Sequence, residues 1–180
     1  AWTALYAYLP KNGLNGAWEE RGLDGHDGGV NALRMSADGR FAISGGTDCL
    51  VKLWNTHTGK CLRTLEGHTA PVKAVAMSSD GGLALSGGED QTILLWDMTQ
   101  GDSIMTFGSV AGSVESLDLS PDGRLLLSGG MDMRLWETAK GRVLQSYEGH
   151  NADVEAVCWS PDARMAISGS PDHTVKIWNA

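Results

Sequence analysis

The stretch GHTAPVKAVAMSSDGGLALSGGEDQTILLWD, from Gly67 to Asp97, decides the fold. It holds three short apolar runs, each closed by polar or glycine-rich punctuation. A short apolar strand carrying Val72 comes first, and Ser78-Ser79-Asp80-Gly81 reads as a tight turn. Leu83 onward reads as a second strand ending at Ser86-Gly87-Gly88. A turn at Asp90 follows, then a third strand ending at Trp96. Apolar runs of this length bounded by Asp, Gly and Ser are strand and hairpin signals. Gly101, five residues after Trp96, marks a further reversal into a fourth strand.

The same pattern recurs along the chain. Trp54, Trp96, Trp136 and Trp178 are spaced 42, 40 and 42 residues apart. Ser44, Ser86, Ser128 and Ser168 are spaced 42, 42 and 40 apart, and Asp48, Asp90, Asp132 and Asp172 keep that rhythm. Val30, Val72, Val114 and Val154 keep it too. A fixed period of about 40 residues is the signature of a repeat architecture. Asp38-Gly39, Asp80-Gly81 and Asp122-Gly123 fill the first turn; Asp162-Ala163 fills the fourth, so that turn does not depend on glycine alone. Alternation shows in Val51-Lys52-Leu53-Trp54 and Val175-Lys176-Ile177-Trp178, and no helical period runs over ten residues. The expected class is all-β.

These motifs resemble the WD40-repeat family. The first unit carries Gly25-His26, Ser36-Ala37-Asp38-Gly39, Ser44-Gly45-Gly46, Asp48 and Leu53-Trp54-Asn55. The second carries Gly67-His68, Ser86-Gly87-Gly88, Asp90 and Leu95-Trp96-Asp97, and the fourth carries Gly149-His150, Ser160-Pro161-Asp162, Ser168-Gly169-Ser170, Asp172 and Ile177-Trp178-Asn179. The resemblance covers residues 24–180. It implies β-propeller blades, each a four-stranded antiparallel sheet. The implied units are residues 24–66, 67–108, 109–148 and 149–180, with residues 1–23 supplying strands of a preceding or closing blade.

Within a blade the resemblance joins His, Ser, Asp and Trp in one structural hydrogen-bonded network. The sets are His26, Ser44, Asp48 and Trp54; His68, Ser86, Asp90 and Trp96; and His150, Ser168, Asp172 and Trp178. The chemistry suits that role, since Asp accepts, Ser does both and indole N–H only donates. The third unit keeps Ser128, Asp132 and Trp136 but has Val110 in place of His. Its Ser-to-Trp interval is eight residues rather than ten. An even deletion preserves strand facing. Asp132 is expected to find water or another donor, and this blade to be a weak spot or else a specialised surface.

Thr3 to Leu9 reads as a third strand, Pro10 to Gly16 as its turn, and Ala17 to Leu23 as a fourth strand before Gly25-His26. The fourth unit stops after its third strand. The expectation is a slice of a larger propeller, or an assembly that completes one. The competing readings are a self-closed four-bladed ring and two chains side by side making eight blades, within the known range of about four to eight. The chain begins with Ala, which points to a processed, truncated or excised product.

Lys and Arg number 14 against 22 Asp and Glu, a net charge of −8. That argues against nucleic acid and against anionic lipid as partners. The longest apolar run, Ala4 to Leu9, is far short of the about 20 residues a membrane-spanning helix needs, and no signal peptide opens the chain. Cys49, Cys61 and Cys158 have no metal or CxxC spacing and read as small buried hydrophobes in a reducing, cytoplasmic setting. No phosphate-binding glycine loop, zinc-protease motif or nucleophile elbow is present, so a non-catalytic protein without cofactor or metal is expected. His57 and His173 read as exposed turn residues.

The resemblance also implies a partner-binding rim. Its residues flank the first Val of each unit and precede the turn Asp: Asn31 and Thr47; Lys73 and Glu89; Glu115 and Met131; Asp153 and Glu155, with Gly29, Pro71, Ser113 and Pro171 beside them. The acidic excess fits a basic peptide or protein surface. The implied function is a protein-interaction scaffold or adaptor. The other readings are a permanent subunit of a large assembly, or the regulatory domain of a longer signalling enzyme.

Overall fold

A computed structural model describes residues 21–108 and 110–179, and every regular element among them is a strand. Blade one is β1 (Val30–Met35), β2 (Phe41–Gly46), β3 (Val51–Asn55) and β4 (Cys61–Leu65). Blade two is β5 (Val72–Met77), β6 (Leu83–Gly88), β7 (Ile93–Asp97) and β8 (Asp102–Thr106). Blade three is β9 (Ser116–Leu119), β10 (Leu125–Gly129), β11 (Met133–Glu137) and β12 (Arg142–Tyr147). Blade four is β13 (Ala156–Trp159), β14 (Met165–Ser170) and β15 (Thr174–Asn179). Each sheet is antiparallel and ordered as in the sequence. The strands expected within residues 3–20 lie outside the described residues, and residues 21–29 form no strand.

The first hairpin of every blade is built by one Ser and one Asp. Ser36 Oγ donates to Asp38 Oδ1 at 2.7 Å, and the Arg40 N–H donates to the same oxygen at 3.0 Å. Ser78 and Asp80, Ser120 and Asp122, and Ser160 and Asp162 repeat the pair at 2.6, 2.7 and 2.6 Å. These donors stabilise the ionised carboxylate. The Arg40 N–H, then the Ser36 hydroxyl, hold Asp38 down to about 2. The turn then needs a left-handed residue: Gly39, Gly81 and Gly123 have φ of 70°, 73° and 72°. Ala163 takes φ 54° at the fourth turn, a conformation its Cβ disfavours.

Blade three absorbs its shorter turn without slipping. Ser128 pairs with Arg134, two residues before Trp136, just as Ser44 pairs with Lys52, two before Trp54. Losing two residues leaves every side chain on its own face.

Alternation gives each blade two apolar faces, and consecutive blades bury them against each other. Ile43, Val51, Leu53 and Leu65 of blade one meet Val72, Val75, Ala84 and Trp96 of blade two. Leu85, Ile93, Leu95 and Phe107 of blade two meet Val114, Leu117, Leu126 and Trp136 of blade three. Leu127, Met133, Leu135 and Tyr147 of blade three meet Val154, Val157, Trp159 and Ala166 of blade four. Glycine makes the approach possible: a Cβ on Gly45 would collide with Val72, and one on Gly87 with Val114.

The radial series does not return on itself. Val30, Leu33 and Met35 on blade one are 51%, 67% and 61% exposed, and Val175 and Ile177 on blade four are 69% and 70% exposed. Among the described residues, the faces of blade one and blade four that a self-closed four-bladed ring would bring together lie open. The cysteine expectation also needs correction: Cys61 and Cys158 are exposed and Cys49 half-buried. Cys61 stands on the outermost strand of blade one. Cys158 stands on β13 beside Asp118, and partial burial, then that carboxylate, push its thiol pKa up. Among the described residues no helix is long and apolar enough to cross a membrane.

Candidate functional site

Three blades carry the same line of polar groups. In blade two Trp96 Nε1 donates to Ser86 Oγ at 2.8 Å, Ser86 Oγ lies 2.7 Å from His68 Nε2, and His68 Nδ1 lies 2.8 Å from Asp90 Oδ2. Indole N–H only donates and a carboxylate only accepts, so in the neutral imidazole Nδ1–H donates to Asp90 and Nε2 accepts from Ser86. Blade one repeats the line through Trp54, Ser44, His26 and Asp48 at 2.8, 2.7 and 2.8 Å. Blade four repeats it through Trp178, Ser168, His150 and Asp172 at 2.8, 2.7 and 2.8 Å.

The Asp at the end of each line is held ionised. Burial pushes Asp90 up, but the Thr69 N–H, the Thr92 hydroxyl and His68 outweigh it and leave Asp90 below the usual carboxylate range. Asp48 is lowered in the same way against burial by His26 and by the Asp27 and Leu50 N–H groups. The Thr174 hydroxyl leads the set that lowers Asp172. Ser, His and Asp in line are the ingredients of a nucleophilic triad. Ser86, however, is 0% exposed and its oxygen already holds the indole N–H. The line in blade two has no open face for a substrate.

Blade three solves the missing His differently. Trp136 Nε1 still donates to Ser128 Oγ at 2.8 Å, and Val110 fills the His place, buried. Arg134 Nε donates to Asp132 Oδ2 at 2.9 Å. The expected alternative donor is thus Arg134. Asp132 Oδ1 and Ser113 Oγ remain buried without a hydrogen-bond partner among the described residues.

The rim residues gather along one edge of the blades. Val30 pairs with Gly46 and Val72 with Gly88, so the start of each innermost strand lies beside the end of the second. The backbone ties this edge together: Thr47 N donates to Gly29 O, Glu89 N to Pro71 O, Glu115 N to Gly129 O, and Glu155 N to Gly169 O. Asn31, Thr47, Glu89, Met131, Asp153 and Glu155 are exposed, and Lys73 and Glu115 half-buried. Asn31 is partly committed, since its Nδ2 donates to Val72 O at 2.9 Å and so bridges blades one and two. Lys73 is neutralised by Glu89 at 3.0 Å, and Glu89 and Glu115 hold its ammonium charged. Glu115 thus shares Lys73 with Glu89, and among the described rim residues no ion pair holds Asp153 or Glu155.

Sequence reasoning missed an inter-blade clamp. Arg63 on β4 reaches the turn between β7 and β8 of blade two, donating from Nε to Met98 O at 3.2 Å and from Nη2 to Thr99 O. Arg21 does the same to blade one, from Nη1 to His57 O and to Thr56 O. The side chains lie over Gly101 and Gly59, both at positive φ. The signal was present, for Arg21 and Arg63 are one 42-residue period apart. Among the described residues no group of three His, Cys, Asp or Glu side chains is placed to hold a metal ion.

The family model "WD domain, G-beta repeat" matches four times, at residues 19–55, 59–97, 101–136 and 141–179. The chain belongs to the WD40 family. Each match from the second on begins with the outermost strand of one blade and runs through three strands of the next, so the WD40 repeat and the blade are offset by one strand. Over 42 residues the chain is 43% identical to "Probable E3 ubiquitin ligase complex SCF subunit sconB" of Talaromyces stipitatus, a match spanning 23% of this chain and 6% of that protein. In the solved "Structure of U3-55K" the TM-score is 0.82 at 24% identity, over 89% of this chain and 51% of that one. That is a likeness of fold. The WD40 repeats here span about half the length of the solved structure they match, and a small part of the fungal protein.

Proposed function

We propose that this WD40 chain is a non-catalytic interaction scaffold whose loop rim takes a basic segment of a partner protein. The observation that carries the reading is the charge of the rim. Glu89, Glu115, Asp153 and Glu155 stand against Lys73 alone, and Lys73 is already paired with Glu89. A rim with an excess of carboxylates attracts and orients Lys- or Arg-bearing ligands, chiefly through on-rate and specificity. The similarity of one repeat length to a subunit of a ubiquitin ligase complex favours work inside an assembly over free-standing turnover.

The test is fluorescence anisotropy with labelled peptides that are Lys/Arg-rich, neutral or acidic. Binding of the basic peptides alone, weakening as salt rises, is the expected result. Glu115→Lys with Glu155→Lys abolishes it at unchanged melting temperature. Equal binding of all three peptides, or insensitivity to the reversals, overturns the reading.

A further inference from the structure

We propose that the groove between blades one and two takes an arginine side chain of a partner protein, with Asp80 as its counter-charge. The first observation is a break in the repeat. The first-hairpin turns run from Ser36 to Arg40, Ser78 to Gly82, Ser120 to Arg124 and Ser160 to Arg164. Arginine closes three of these turns, and glycine closes that of blade two. In those three the arginine Nε faces Oδ2 of the turn Asp: Arg40 and Asp38 at 2.5 Å, Arg124 and Asp122 at 3.8 Å, Arg164 and Asp162 at 3.9 Å. Asp80 has its Oδ1 filled as in the other blades, by Ser78 Oγ at 2.6 Å and the Gly82 N–H at 3.0 Å. Those two donors hold the carboxyl below the usual carboxylate range, so it is ionised. Among the described residues no cation pairs with its Oδ2.

The second observation is space. Beside this turn lies a groove of about 500 Å³, walled by Phe41, Leu53 and Leu62 of blade one and by Met98 and the Asp80 to Gly82 turn of blade two. Ligand pockets span about 300–1,000 Å³. Leu62 is 46% exposed, so apolar surface stands open beside the charge. The cations nearby are committed elsewhere. Arg63 donates to the Met98 and Thr99 carbonyls, and Arg40 pairs with Asp38 while its guanidinium lies over the Phe41 ring.

These walls select the occupant. An apolar lining with one carboxylate suits a side chain that is aliphatic along its stem and cationic at its tip. Arginine suits it better than lysine, because its planar fork meets a carboxylate through two parallel N–H groups. The chain makes this pairing three times from within its own turns. At blade two the same place is open to an arginine supplied by another molecule. The groove lies away from the acidic rim: Val72 pairs with Gly88 at the rim, whereas Ser78 to Gly82 joins the opposite ends of the same two strands. The site therefore does not rest on the rim reading.

Amide-resolved NMR on the isotope-labelled whole chain tests this. The probes are a capped leucine-arginine-leucine tripeptide and the same tripeptide with neutral citrulline in place of arginine. The arginine peptide is expected to give saturable shifts at the Gly81, Gly82 and Thr99 amides, and the citrulline peptide none. Gly82 has no positive φ, and the atoms nearest to a Cβ there belong to Asp80, at 3.4 Å or more. Gly82→Arg is therefore expected to fold, to supply the arginine from within and to abolish these shifts at unchanged melting temperature. Asp80→Asn keeps an oxygen for Ser78 and Gly82 and is expected to abolish them as well. No shifts with the arginine peptide, equal shifts with citrulline, or shifts that survive in folded Gly82→Arg overturn the proposal. Binding at the rim is read at the Glu115 and Glu155 amides and is untouched by Gly82→Arg, so the two readings fail separately.

Discussion

Trp96 Nε1 and Ser86 Oγ lie 2.8 Å apart inside blade two, with the two residues 1% and 0% exposed. The indole fills the junction with blade one and anchors the polar line that ends at Asp90.

Trp96→Ala removes a large buried ring and leaves Ser86 without its donor. Large aromatic truncations in cores destabilise by about 3–5 kcal/mol. Trp96→Phe keeps most of the volume and loses the hydrogen bond, for about 1 kcal/mol. Urea unfolding followed by circular dichroism measures both. Equal stability of wild type and Trp96→Ala refutes the structural role of the line.

Arg134 stands in for the missing histidine of blade three through its 2.9 Å bond to Asp132. The pair is mostly buried, with side chains 18% and 31% exposed. A double-mutant cycle of Arg134→Ala and Asp132→Ala is expected to give a coupling of about 1 kcal/mol. A coupling of zero removes Arg134 from that role.

Ala163 sits at φ 54° where the other blades have glycine. The left-handed conformation costs an L-residue about 1–2 kcal/mol, and glycine gives back part of that in chain entropy. Ala163→Gly is therefore expected to stabilise by about 0.5–1 kcal/mol, and Gly39→Ala to destabilise. Thermal melts with the opposite signs contradict the strain.

Acid sensitivity follows from the lowered carboxylates. Asp38, Asp48, Asp90 and Asp172 all titrate in the folded chain below their ordinary 3.8. As pH falls past that value the unfolded chain takes up protons first, so stability falls with pH. The contribution is complete above the ordinary value and is lost as pH drops through the folded values, about 2 for Asp38. Melting temperatures from pH 5 downward are expected to decline, and more shallowly in Asp90→Asn, which starts lower. A flat profile down to pH 2 contradicts this.

The repeat spacing was enough to read the strands, their order and their turns. Strand, hairpin and left-handed turn are local matters, written in alternation, in Ser-x-Asp and in glycine. Even the shortened hairpin of blade three was legible, since a loss of two residues cannot turn Trp136 to the other face. Arg134 was not, because Lys52, Leu94 and Lys176 hold the same place in the other blades and only position beside Asp132 singles it out.

The sequence by itself determined four copies of one blade-forming unit and the acidic balance of the chain. Only the tertiary structure decided that Val30 and Gly169 lie open while their counterparts are buried, and that Arg21 and Arg63 clamp neighbouring turns. The physical reason is that burial belongs to what stands opposite a residue. Identical repeats carry identical side chains, and only their places in the series distinguish a face that meets a neighbour from one that does not.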